Sequence, residues 1–213
     1  MKISFKKRML LGMLPDSVLQ SHGPRQDNAH YLSFDDGPHP EHTPRLLDVL
    51  AAHGVHASFF VVGRLAEAHP HLLERIVAEG HVLGNHSYNH RGFAKLSLDE
   101  QVVEFQRADE MLSRFDGHQF HRVRPPQGHL TVPLLWHFLR VRRSIAYWSY
   151  DSLDYQPQPP EQLINNLRSH PPQSGDIVLM HDDNALAATA LGALLPGWLE
   201  EGRQFRTLRF DSK

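Results

Sequence analysis

The chain has 213 residues, 40% hydrophobic and 22% charged, with a formal net charge of −2 when histidine is neutral. That is an ordinary make-up for a globular chain long enough to bury a sizeable core, and it gives no electrostatic case for nucleic acid as a partner. Cysteine is absent, which removes disulfides and thiolate metal sites from consideration and leaves the redox compartment open, while 17 histidines make the charge strongly dependent on pH.

In chain order, Lys2, Lys6, Lys7 and Arg8 precede the apolar run Met9 to Leu14, which stops at Pro15-Asp16. The run is shorter than a signal-peptide core and no small-residue cleavage site follows it, so a cytoplasmic protein is expected. This basic, apolar segment is expected to pack over the bottom of the folded domain, the alternative being weak peripheral contact with an anionic membrane surface. Strands are predicted at 29–34, 57–62, 81–85, 120–124, 144–149, 176–181 and 204–210. Helical patterns lie between most of them, at Arg45 to Ala52, Pro70 to Glu79, Leu98 to Arg114, Pro133 to Val141, Pro160 to Arg168 and Ala185 to Glu200. This alternation predicts an α/β fold with a parallel sheet. No repeat or linker interrupts it, and the proline-rich stretches Gln156 to Pro160 and His170-Pro171-Pro172 read as loops framing a helix. One domain over 1–213 is therefore expected, with a core at 29–210 after an N-terminal extension at 1–28.

Within this pattern, Ser33-Phe34-Asp35-Asp36-Gly37-Pro38 delivers two adjacent carboxylates from an apolar run into a Gly-Pro turn. Neighbouring strand residues point to opposite faces, so both carboxylates can serve one site only where the strand ends and the backbone bends. A solvated turn is the alternative. In Gly84-Asn85-His86-Ser87-Tyr88-Asn89-His90, two imidazoles four positions apart share one side if the segment makes a helical turn. Two neutral imidazoles and one carboxylate, for which Asp36 is available, form a three-ligand open site of the kind zinc most often occupies. In so histidine-rich a chain, a chance pair at this spacing is the competing reading.

Five stretches in order resemble the polysaccharide deacetylases, the NodB-homology or carbohydrate esterase family 4 enzymes. Ser33-Phe34-Asp35-Asp36-Gly37 resembles the family's Thr/Ser-Phe-Asp-Asp-Gly, and His86-Ser87-x-x-His90 its His-Ser/Thr-x-x-His. Arg124-Pro125-Pro126-Gln127-Gly128 resembles Arg-x-Pro-x-Gly, Asp151-Ser152-Leu153-Asp154-Tyr155 resembles Asp-x-x-Asp-Trp, and Leu179-Met180-His181 resembles Leu-x-His. Each motif is weak singly; five in sequence carry the resemblance.

The resemblance implies a distorted, incomplete seven-stranded (β/α) barrel, with the motifs at 34, 85, 124, 149 and 181 meeting on one rim. It implies a divalent metal, by default zinc with cobalt, nickel or manganese also possible, on Asp36, His86 and His90. Asp35 would be the general base, Arg124 its partner, and His181 the general acid oriented by Asp154, with Asp151 the weaker choice for that last role. Gln127, Pro126, Tyr155 and Leu179 would face the substrate. The implied activity is removal of N-acetyl groups from N-acetylated amino sugars of a glycan, a chito-oligosaccharide or a sugar-containing precursor. An O-acetyl carbohydrate esterase and a catalytically silent carbohydrate-binding protein are the alternatives. Gln127 stands where the family commonly has tyrosine, and Tyr155 replaces tryptophan. A backbone N–H at Gln127 survives its change as an oxyanion donor, and Tyr155 keeps a shorter aromatic wall that carries a hydroxyl.

Overall fold

A computed structural model describes residues 14–208 of the chain. Its centre is β2, Ala29–Asp35, buried along its whole length. Strand periodicity divides its side chains: Leu32 and Phe34 join the apolar layer under the helices, whereas Ala29 and Tyr31 pack in a second cluster with Phe60 and Ile177. Ser33 and Asp35 share the face of Ala29 and Tyr31 by the same alternation, so one face of a single strand runs from an apolar floor to a carboxylate. Burial on both faces explains why the strand reads as a near-continuous apolar run rather than an alternating one.

Four parallel neighbours extend the sheet in the order β4–β3–β2–β7–β6, with β3 at Ser58–Val61, β4 at Val82–Asn85, β6 at Tyr150–Asp151 and β7 at Ile177–His181. The β2/β7 register sets Ser33 opposite Leu179 and Asp35 opposite His181. A short strand β8, Gln204–Phe205, pairs with the start of β2, and β1, Leu19–Gln20, pairs with β5, Ile145–Ala146. Only single bridges at Val123 join Asn85 of β4 to Ile145 of β5, and there the barrel wall is incomplete. Among the described residues seven α-helices cover the outside: α1 His42–Ala52, α2 Gly63–Ala68, α3 Pro70–Ala78, α4 Leu98–Asp116, α5 Val132–Arg140, α6 Pro160–Ser169 and α7 Leu186–Glu200. Their starts follow local chemistry. Pro70 and Pro160 open α3 and α6, and α4 begins with a capping box in which Ser97 and Glu100 satisfy each other's backbone N–H groups.

Four expectations need correction. The strand expected at 120–124 shrinks to a single bridging residue, Val123, flanked by main-chain bonds to Asn85 and Ser144: before it the His121 N–H turns to the Asp109 carboxylate, and after it Pro125 and Pro126 end the run without donors. The stretch 144–149 is regular only at β5, because the chain then changes partner. Ala146 N–H donates to Val123 O and Tyr147 N–H to Gln20 O, but Ser149 N–H donates to Ile177 O, after which the unexpected strand β6 begins. Helix α2 was not expected, being six residues long and opening on glycine. The C-terminal strand is shorter than 204–210 at its described end, and 209–210 lie outside the described residues, as does the segment at 1–13 for which floor packing or membrane contact is expected. Among the described residues no helix is long and apolar enough to cross a membrane.

Gly84 of β4 has a packing role, since a Cβ there would lie 2.5 Å from the Phe60 ring. Gly84→Ala is expected to destabilise the protein by about 1–3 kcal/mol through overpacking. Chemical unfolding checks this, and an unchanged midpoint would contradict the placement of Phe60.

Candidate active site

At the end of β2 the chain leaves the strand through Asp36, whose φ of +74° is left-handed. This kink lets consecutive carboxylates face one site instead of opposite sides of the sheet. Gly37 O accepts the Val62 N–H at 2.9 Å, and a Cβ on Gly37 would lie 2.1 Å from the Asp182 carboxylate, so no larger residue fits.

Arg124 is fully buried, and its guanidinium is held from several sides. Nη1 donates to Asp35 Oδ1 at 2.6 Å and to Ser33 Oγ at 3.0 Å, Nη2 donates to Tyr147 O at 3.2 Å, and the group lies 3.9 Å from the centre of the Phe60 ring. Burial pulls its pKa below the usual value, and the Asp35 carboxylate opposes that pull. Because Oδ1 of Asp35 is committed to Arg124, Oδ2 is the oxygen turned toward the site, 3.8 Å from His86 Nε2.

His86 and His90 do not sit on a helical turn. The loop between them is kinked by left-handed backbone at Ser87 (φ +68°) and at His90 itself (φ +53°), and these kinks bring the ring centres to 5.0 Å. The Arg124 carbonyl lies 2.8 Å from His86 Nδ1 and accepts its proton, which leaves Nε2 with a free lone pair. His86 Nε2 and His90 Nε2 lie 3.3 and 3.0 Å from the same oxygen, Asp36 Oδ1, which is buried with no hydrogen-bond partner of standard geometry. Burial would raise the Asp36 pKa, but hydrogen bonding and charge from His86 and His90 hold it well below the usual carboxylate range. For His90 burial works downward and Asp36 outweighs it, with a net rise. The three ligand atoms all lie within 4.8 Å of one another. Two imidazole nitrogens and a carboxylate oxygen converging on one point fit a divalent cation.

At the end of the neighbouring strand β7, His181 Nδ1 is 2.8 Å from Asp154 Oδ1, while Asp154 Oδ2 accepts the His181 main-chain N–H at 2.7 Å. Burial alone would lower the imidazole pKa; the Asp154 hydrogen bond and the charges of Asp154, Asp35 and Asp36 reverse this and push it up to about 9. Asp151, the weaker choice for orienting His181, instead accepts the Leu153 N–H at 3.1 Å and lies 3.4 Å from the Tyr155 hydroxyl. Tyr155 is 41% exposed and meets the His181 ring edge-on at 5.4 Å between centres. Gln127 is exposed at the rim with φ +56°, Pro126 beneath it is buried, and Leu179 lies one layer below His181 at 4% exposure.

Three contributors had escaped the sequence reading. Phe60 looked like ordinary strand core, and Ser33 like a plain member of its motif. Asp182, directly after His181, is buried under Gly37 with the Thr43 hydroxyl 2.5 Å from its Oδ2, and burial pushes its pKa up to about 7. The only signal in the sequence was a second acid ending an apolar strand.

The sequence profile of the polysaccharide deacetylases matches residues 22–138. A peptidoglycan-N-acetylglucosamine deacetylase of Bacillus cereus is 34% identical over 192 residues, covering 87% of this chain and 69% of the relative. A chitooligosaccharide deacetylase of Rhizobium leguminosarum is 35% identical over 177 residues, covering 79% and 76% of the two chains. Among solved structures, the Bc1960 peptidoglycan N-acetylglucosamine deacetylase in complex with an N-hydroxybenzamide superposes with a TM-score of 0.83 at 33% identity, covering 90% of this chain and 91% of the other.

The chemically identical neighbours Asp35 and Asp36 are distinguished here by position alone. Asp36→Asn is expected to lose metal and turnover together, whereas Asp35→Asn keeps its metal and loses turnover. Metal content of the purified variants, read beside activity, checks this; loss of metal from Asp35→Asn with retention in Asp36→Asn would mean that the two are reversed.

Proposed function

This chain belongs to the polysaccharide deacetylase family, and on that premise we propose that it is a metal-dependent hydrolase that removes N-acetyl groups from N-acetylated amino sugars. Its substrate is a glycan, a chito-oligosaccharide or a sugar-containing precursor. The observation that carries the reading is the meeting of three groups on one rim: the Asp36–His86–His90 triangle, Asp35 locked by Arg124, and His181 tethered to Asp154.

The triangle holds the metal, with zinc the first choice and cobalt, nickel or manganese as alternatives. When bound, the ion polarises the acetyl carbonyl and makes a water molecule easier to deprotonate. Asp35 takes the water proton on Oδ2, because its other oxygen is held by Arg124. The guanidinium fixes that carboxylate in direction, a task for which a planar fork suits better than an ammonium. His181 has Nδ1 engaged by Asp154, so the proton it delivers to the departing nitrogen sits on Nε2. The main-chain N–H of Gln127 serves the developing oxyanion. Tyr155, exposed beside His181, forms the sugar-facing wall.

The named relatives act on peptidoglycan and on chitooligosaccharides, and both substrates carry the same acetamido group; that supports an N-acetylglucosamine-type unit here. Retention of Asp35 and His181 together speaks against a silent carbohydrate-binding protein. Acetate release is expected from N-acetylglucosamine oligomers with metal-replete protein. Release from O-acetylated glycans alone would replace the amidase reading with an esterase, and release from neither would favour the silent protein.

Because one enzyme form must hold Asp35 ionised and His181 protonated, turnover is expected to be bell-shaped in pH. In Asp154→Asn the largest upward influence on His181 is lost while the downward pull of burial remains, so the basic limb should move to lower pH. The profile is measured at saturating metal and substrate with metal content unchanged. A basic limb that stays in place would show that Asp154 does not tune His181.

A further inference from the structure

The loop that carries both imidazoles is tied from below by two carboxylates of α4. Asp109, 4% exposed, accepts Asn85 Nδ2 at 2.7 Å, and Asn85 Oδ1 in turn accepts the Ser87 N–H at 2.9 Å. Glu104, 6% exposed, accepts the Asn89 main-chain N–H on one oxygen at 2.6 Å and Asn89 Nδ2 on the other at 2.7 Å. Ser87 Oγ accepts the His90 N–H at 3.1 Å. Each imidazole is thus next in sequence to an asparagine clamped by α4. The two carboxylates differ in their company. Asp109 is paired with Arg143 at 2.6 Å and lies 3.2 Å from His121, so it also serves a buried ionic cluster. Among the described residues Glu104 has only the Arg91 guanidinium as an ionic neighbour, at 4.0 Å on a side chain 62% exposed, and its two short hydrogen bonds both go to Asn89.

His90 itself is left-handed at φ +53°, as is Ser87 at +68°. Non-glycine residues hold such backbone only where the surroundings over-determine it. Glu104 supplies that restraint immediately before His90: a two-point hold fixes both the position and the rotation of the Asn89 peptide, and the next residue presents its imidazole to Asp36 Oδ1. We propose that Glu104, acting through Asn89, is a positioning residue for the metal centre, setting how tightly the Asp36–His86–His90 triangle binds its ion. The inference rests on the metal-dependent reading above and adds a residue that touches neither ion nor substrate. Outer hydrogen-bond partners of metal ligands typically change affinity by about 10–100-fold when removed.

The test measures Zn²⁺ affinity by competition with a chromophoric chelator in the full-length protein, Glu104→Gln and Asn89→Ala, together with thermal melting of each metal-free protein. Glu104→Gln exchanges one acceptor oxygen for an amide donor that faces Asn89, and Asn89→Ala removes one of the two bonds at a less buried position that the fold tolerates more readily. Both variants are expected to bind Zn²⁺ about tenfold or more weakly while melting close to the wild type, with turnover returning when zinc is raised to saturation. Affinity within about twofold of wild type in a folded variant, or a lowered melting temperature with affinity retained, would overturn the proposal and leave Glu104 a purely structural residue; if Glu104→Gln does not fold, Asn89→Ala decides. Wild-type protein that binds no Zn²⁺ would instead overturn the metal-dependent reading itself.

Discussion

A guanidinium with no solvent exposure must have a counter-charge, and in this fold it has Asp35. Removing one member of such a buried pair typically costs about 3–5 kcal/mol, because the survivor is left uncompensated. Much of the site follows from satisfying Arg124. Ser33, two residues before Asp35 on the same strand face, takes one of its N–H groups, and the Phe60 ring lies against its plane, in space that Gly84 leaves open. The main chain of Arg124 serves the other half of the site, its carbonyl accepting from His86 Nδ1 and so turning Nε2 toward Asp36. One residue thereby fixes Asp35 with its side chain and the His86 tautomer with its backbone. This coupling keeps two adjacent aspartates in different settings: Asp35 is held against the guanidinium, and Asp36, itself left-handed, faces two imidazoles.

The parts of the fold legible in the sequence were those with a strong local period or a strong local stop. Strands β2, β3, β4 and β7 were visible as apolar runs because they are buried in the sheet, and α4 as a long helical pattern. Segments whose hydrogen bonds are spent on side chains or shared between two neighbours were not legible. Residues 120–124 have strand composition, yet only Val123 bridges its two neighbours, because the His121 N–H goes to a carboxylate and two prolines follow. The stretch after Ser144 leaves one neighbour for another within a few residues, a feature of tertiary arrangement that carries no periodic signature. Helix α2 fell below the length at which a pattern can be recognised.

At the site, the residue types and their order were legible through the five motifs, while the geometry that joins them was not. Spacing suggested that His86 and His90 share a face through a helical turn; the chain achieves the same convergence with a kinked loop held by hydrogen bonds to α4. The motif offers both Asp151 and Asp154; the resemblance favoured Asp154 for orienting His181, and Asp154 is the one whose carboxylate lies 2.8 Å from His181 Nδ1. Gln127 and Tyr155, the two departures from the family pattern, both lie on the open rim, where the sugar would be met. Neither is a member of the buried pairs Arg124–Asp35 and Asp154–His181, so their departure from the family pattern leaves those pairs intact.

The central claim is that Arg124 keeps Asp35 off the metal while Asp36, His86 and His90 bind it. Anomalous diffraction at the zinc edge, from crystals grown with Zn²⁺, tests it most directly. The account predicts one strong peak at about 2.0–2.2 Å from Asp36 Oδ1 and the two Nε2 atoms, with Asp35 still on the Arg124 guanidinium. A peak coordinated by Asp35 with Arg124 released, or no peak between the two histidines, would contradict it.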